Sequence, residues 1–90
     1  MTNAPVTLSD HARKQMVRRG LDERLVRQVA SSPDQIITVR PGREIRQSLL
    51  TLPPEGRTYV IRVFVDTDDE GDIVVTAYRS SKIGKYWRLP

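Results

Sequence analysis

The hydrophobic period of the chain changes once, at Pro33, and that change decides what each part can become. Before Pro33 apolar residues recur at helical spacing. After it they alternate, in runs rich in β-branched residues. Proline restricts the residue before it and cannot extend a helical ladder, so Ser31-Ser32-Pro33 closes the helical part. A chain of 90 residues has room for one domain, residues 1–90, with a modest core.

In the front third, Thr7-Leu8-Ser9-Asp10 reads as a helix start: the Thr–Asp spacing matches a capping box, with Ser9 as a competing cap. Leu8, Ala12 and Met16 mark a narrow buried stripe, and Gly20 ends the helix by taking the left-handed conformation cheaply. Asp22 can cap a second helix with Leu25, Val26, Val29 and Ala30 on its apolar face. Strands are expected at 35–40, 43–52, 57–66 and 72–80, separated by Pro41-Gly42, by Pro53-Pro54-Glu55-Gly56 and by an acidic segment. The order ααββββ predicts an α+β fold, with an N-terminal helical hairpin packed on a four-stranded antiparallel sheet.

The last hairpin allows a register. If Asp66 faces Asp72, Arg62 opposes Thr76, Phe64 opposes Val74 and Val60 opposes Tyr78. The other face then holds Ile61, Val63, Val65, Ile73, Val75 and Ala77, an aliphatic set expected under the helices. An arginine in mid-strand is costly to bury unpaired, so Arg62 faces water, a carboxylate or a ligand.

Composition limits the function classes. Without cysteine, there are no disulfides, thiolate ligands or Cys nucleophile. No apolar run approaches a membrane span, and Met1-Thr2-Asn3-Ala4-Pro5 lacks the pattern of a signal peptide, so the expected location is the cytoplasm. The net charge is +4, but Asp66, Asp68, Asp69, Glu70 and Asp72 crowd into one segment, leaving fifteen basic against six acidic residues elsewhere. Twelve of the fifteen cations are arginine, suited to bidentate phosphate contacts, which makes the chain an electrostatic candidate for nucleic acid. The alternative is a charged surface that serves solubility. The loop 66–73 matches the start of a calcium loop, but its twelfth position is Ala77 and strands flank it, so it reads as a hairpin turn. No His/Cys cluster, P-loop or dinucleotide fingerprint is present, and neither metal nor cofactor is expected.

Two groups of residues can carry chemistry. His11, the only histidine, lies in the first turn of the first helix, where the dipole disfavours imidazolium and favours a neutral base. The bland reading is a surface or half-buried histidine against the sheet edge. The second group is Arg62, Thr76, Tyr78 and Arg79 with Ser81, Lys82, Lys85, Tyr86 and Trp87. Its cations can neutralise charge on a transferring phosphoryl group, and its aromatic rings can stack bases. Tyr86-Trp87 can instead form a hydrophobic clasp that closes the C-terminal segment over the core.

Ser9-Asp10-His11-Ala12, Met16, Arg19-Gly20-Leu21, Val26 and Ser32-Pro33-Asp34, with Val75-Thr76-Ala77-Tyr78-Arg79-Ser80-Ser81-Lys82 and Lys85-Tyr86-Trp87, carry a resemblance over nearly the whole chain. The chain resembles an uncharacterised bacterial domain family described as related to the BrnT, RelE and ParE toxins. The resemblance implies a RelE/ParE-like α+β fold with a cupped sheet. It implies either RNA cleavage without a metal or, in a ParE-like branch, binding to DNA gyrase. The reading that follows is a toxin-like, metal-independent endoribonuclease or RNA-binding protein of a toxin–antitoxin or mobile-element system. The alternative is a non-catalytic binding module acting on a protein partner or on nucleic acid. The expected catalytic set is His11, Arg62, Tyr78, Arg79 and Lys82; the expected nucleic-acid contacts are Arg18, Arg19, Thr76, Ser81, Lys85, Tyr86 and Arg88. The expected partners are RNA, free or ribosome-associated, and an acidic antitoxin protein.

Overall fold

The computed structural model describes residues 6–89; the start read above for a signal peptide lies outside the described residues. Its elements are β1 (Val6–Leu8), α1 (Asp10–Arg18), α2 (Glu23–Ser31), β2 (Gln35–Arg40), β3 (Arg43–Leu52), β4 (Arg57–Asp68), β5 (Gly71–Ser80) and α3 (Ile83–Tyr86). The strands form one five-stranded mixed sheet in the order β1-β5-β4-β3-β2.

This corrects the expected four-stranded antiparallel sheet under an N-terminal helical hairpin. The described chain opens with a strand, and β1 pairs in parallel with the start of β5, Leu8 opposite Val74. Leu8, read as part of a helical stripe, is a core residue of β1 at 4% exposure. Three residues are too few to display a strand period. What places them is the free edge of β5, whose unpaired backbone groups need partners. A third helix, α3, follows the sheet, so the helices number three among the described residues.

The helix boundaries follow local chemistry. Ser9, not Thr7, caps α1: its Oγ accepts from the Ala12 N–H at 3.0 Å. At the other end Gly20 takes φ +64, and the N–H groups of Gly20 and Leu21 bond to the carbonyls of Val17 and Met16. This is the Schellman pattern, completed by burial of Leu21 beside Met16. Asp22 caps α2 through the Arg24 N–H. Arg46 of β3 reaches the far end of α2, where its Nη1 donates to the Ala30 carbonyl at 2.7 Å.

Both long helices cover one face of the sheet. Ala12, Met16, Leu21, Val26, Val29 and Ala30 pack on Ile61, Val63, Val65, Val74, Ala77 and Leu8. The even positions of β4, among them Arg62 and Phe64, therefore point to the opposite, open face. The hairpin register differs from expectation in two steps. The strands run on to Asp68 and Gly71, so Thr67 faces Asp72, and a bulge between Phe64 and Val65 inserts Val75 as an extra residue. Beyond the bulge Arg62 lies opposite Tyr78 instead of Thr76, while Val74 turns into the core and Ile73 out of it. A bulge reverses facing by one residue, which strict alternation does not anticipate.

The acidic loop is a tight turn: the Asp68 carboxylate accepts from the N–H groups of Glu70 and Gly71. Asp66 pairs with Arg43 and Asp72 with Arg46. The Arg43 hydrogen bond lowers the Asp66 pKa against the opposing effect of desolvation. Glu23, held between Arg27 and Arg13, is lowered chiefly by the Arg27 hydrogen bond. Both carboxyls bind protons more readily unfolded than folded. Their stabilisation is thus complete above their ordinary values of 3.8 and 4.5 and is lost as pH falls through the lowered folded values. Melting temperature is expected to stay flat down to about pH 5 and to fall below it, with a shallower fall in Glu23→Gln and Asp66→Asn. Identical acid limbs in wild type and both variants would refute the assignment.

Candidate anion site on the open sheet face

Arg62, in the middle of β4, is only 8% exposed. Burial of a guanidinium ordinarily demands a carboxylate, yet among the described residues Arg62 has none. Its partners are neutral. Nε donates to the Gln47 Oε1 at 2.9 Å and Nη1 to the Tyr78 hydroxyl at 2.8 Å. The Tyr86 ring covers its face, with the guanidinium carbon 4.3 Å from the ring centroid. Among the described residues Nη2 has no hydrogen-bond partner, and none of their fully buried side-chain nitrogens or oxygens lacks one, so Nη2 reaches the surface.

Aromatic rings build the walls. Tyr78 stands edge-on to Tyr86 and tilted to Phe64, at 6.1 Å from each. Two more cations line the rim. Arg19, at the C-cap of α1, reaches β5 beyond the short strand β1, where its Nη1 donates to the Ala77 carbonyl at 2.8 Å and meets the Thr76 hydroxyl at 3.3 Å. This places its guanidinium 6.0 Å from the Tyr78 ring centroid. Lys85 Nζ lies 5.3 Å from the Tyr86 centroid. Desolvation would raise the Tyr86 phenol, but the Lys85 charge, the neighbouring Tyr78 and the Arg62 charge together lower it from 10.0.

The C-terminal segment is fastened by glutamines. Gln47 Nε2 donates to the Tyr86 carbonyl, and the Gln35 amide both donates to the Arg88 carbonyl and accepts from the Arg88 N–H. Tyr86 and Trp87, the residues read as a clasp, are both half-buried.

Of the expected site residues, the structure brings together Arg62, Tyr78, Tyr86, Lys85, Thr76 and Arg19. It does not bring His11 to them: His11 is exposed at the start of α1, in the helical layer and about 12 Å along the axis from Arg19. Arg79 pairs in register with core-facing Ile61, and its guanidinium lies over Tyr59, which puts it on the face opposite Arg62. Arg18, Ser81, Lys82 and Arg88 are exposed, and no side-chain hydrogen bond ties any of them to Arg62, Tyr78 or Tyr86. Gln47, Gln35 and Phe64 were not among the expected site residues. The sequence signal for them was parity alone, since Gln47 falls opposite Arg62 once β3 and β4 are aligned. Among the described residues no group of three His, Cys, Asp or Glu side chains is placed to hold a metal ion, and no helix is long and apolar enough to cross a membrane.

Residues 8–79 match a domain of unknown function, DUF4258, and the chain belongs to that family. No curated protein and no solved structure gives a significant match.

Proposed function

We propose that the open face binds RNA through its phosphates and that the protein is a toxin-like endoribonuclease that needs no metal. The observation that carries this reading is Arg62: a nearly buried guanidinium with neutral partners, one free edge at the surface and aromatic rings around it. An anion completes such a site, and a phosphodiester flanked by stackable bases fits both the charge and the rings. Arg19 and Lys85 at the rim add the cations that track a strand.

In the proposed reaction the ribose 2′-oxygen attacks the adjacent phosphorus and the bond to the 5′-oxygen breaks. A cyclic 2′,3′-phosphate and a 5′-hydroxyl result. Tyr86, whose phenol is lowered, takes the 2′ proton; Arg62 stabilises the charge on the phosphoryl oxygens; Lys85 or Tyr78 protonates the leaving oxygen. The relationship to BrnT, RelE and ParE toxins belongs to this proposal, as does an acidic antitoxin that would cover the face.

Incubation of an RNA oligonucleotide in EDTA tests it. Cleavage by wild type is expected to accelerate with pH and to level off below pH 10, as Tyr86 reaches its depressed pKa. Tyr86→Phe is expected to lose roughly 10²–10⁴-fold in rate together with that pH dependence. An unchanged profile in the variant removes Tyr86 from the chemistry, and no cleavage by wild type removes the enzyme class.

One observation favours a second reading, a binding module without catalysis. The lone histidine stands in the other layer of the molecule, which leaves no imidazole at the face. Stoichiometric RNA binding without turnover, or a stable protein target such as gyrase, would support it.

A further inference from the structure

Gln47 lies in mid-β3 opposite Arg62 and is 0% exposed, the most deeply buried polar side chain among the described residues. Its amide is fully committed. Nε2 donates to Gln35 Oε1 at 2.7 Å and to the Tyr86 carbonyl at 3.1 Å, while Oε1 accepts from Arg62 Nε. Those two acceptors dictate the amide orientation, so its oxygen must face the guanidinium. A glutamate here would have the same shape and would also accept from Arg62, but it would neutralise it.

We infer that Gln47 is a specificity-determining positioning residue: it aligns Arg62 while leaving the positive charge uncompensated, so that an external anion supplies the missing counter-charge. The same amide holds the Tyr86 carbonyl, so alignment of Arg62 and seating of the C-terminal segment depend on one side chain. Only the identity of the anion as an RNA phosphate rests on the reading proposed above. Neutral hydrogen-bond partners satisfy the geometry of a buried cation and not its charge, and the free Nη2 marks where the anion enters.

The test uses the full chain as wild type, Gln47→Glu and Gln35→Glu, melted with and without inorganic phosphate and titrated with a single-stranded RNA oligonucleotide over a range of salt. Phosphate is expected to raise the melting temperature of wild type and to leave Gln47→Glu unmoved. RNA binding by Gln47→Glu is expected to weaken at least about tenfold, with a salt slope shallower by roughly 0.7, the share of one phosphate contact. A purely structural role would lower the melting temperature without touching the slope. Gln35→Glu sets a carboxylate one hydrogen bond further from Arg62 and should show a smaller loss in both readouts; it decides the matter if Gln47→Glu does not fold. Wild-type behaviour in whichever variant folds overturns the inference. A wild type that responds to phosphate and not to RNA keeps Gln47 in its role and removes the RNA reading. A wild type that responds to neither overturns both.

Discussion

Arg62→Met is expected to stay folded, within about 2 kcal/mol of wild type, while losing phosphate and RNA binding. Methionine keeps the apolar stem that Arg62 lays under Tyr86, and it ends the burial of a charge that has no carboxylate. Replacing buried charge with a well-packed apolar side chain is often neutral or stabilising, by about 1–4 kcal/mol. Against this, Gln47 Oε1 loses its donor in a fully buried position, at a cost of about 1–3 kcal/mol. The two effects offset each other. Binding has no such compensation, because the charge that would hold a phosphate is gone; in the proposed endoribonuclease, loss of one preorganised donor to the developing oxyanion would also slow cleavage by roughly 10²–10³-fold. Arg62→Lys should restore part of the affinity, since it returns the charge without the planar fork. Thermal melts with paired RNA titrations check the claim. A variant that binds as well as wild type dismisses the site, and a loss above about 4 kcal/mol would make Arg62 a structural residue instead.

The second large effect is structural. Arg46→Ala is expected to destabilise the fold by about 3 kcal/mol, a fall in Tm of roughly 12–24 °C for a domain of this size. Arg46 ties three parts of the molecule, pairing with Glu44 at 2.7 Å and Asp72 at 2.9 Å and closing the end of α2 through the Ala30 carbonyl. Its side chain and that of Asp72 are each 13% exposed, so truncation would leave a half-buried carboxylate and a helix carbonyl without their partner. Desolvation works to lower the Arg46 pKa, but hydrogen bonds and charge from Glu44 and Asp72 raise it, so it stays charged throughout. Arg43→Ala is the contrast. The Arg43–Asp66 pair is bidentate but more exposed, at 31% and 39%, and its loss is expected to cost under about 1 kcal/mol. Equal losses in the two variants would show that burial does not set the difference.

The distinction between these arginines could not be read from the sequence. Arg43, Arg46 and Arg62 all sit within strand patterns of alternating residues. Only the pairing of β3 with β4 puts Arg62 opposite Gln47 and Arg43 opposite Asp66. Arg79 and Tyr78 are neighbours in the chain, and their types suit the same chemistry. The pleat nevertheless sends them to opposite faces, Tyr78 to Arg62 and Arg79 to Tyr59. His11 is the only imidazole of the chain, but a residue type carries no information about distance.

What the sequence determined alone was local. Gly20 and Leu21 end α1, Asp22 starts α2, Pro33 ends the helical part, and the apolar runs after it define β2 to β5. These signals act through dihedral preference and neighbouring hydrogen bonds, within a few residues of their source. The tertiary structure decided what lies beyond that range. β1 exists because β5 offers an edge, and the bulge at Val75 sets the facing of the last hairpin. Arg62 owes its burial without a counter-charge to Gln47 from one strand, Tyr78 from another and Tyr86 from the C-terminal helix. Those three come from distant parts of the chain, and only the packed sheet brings them to one guanidinium.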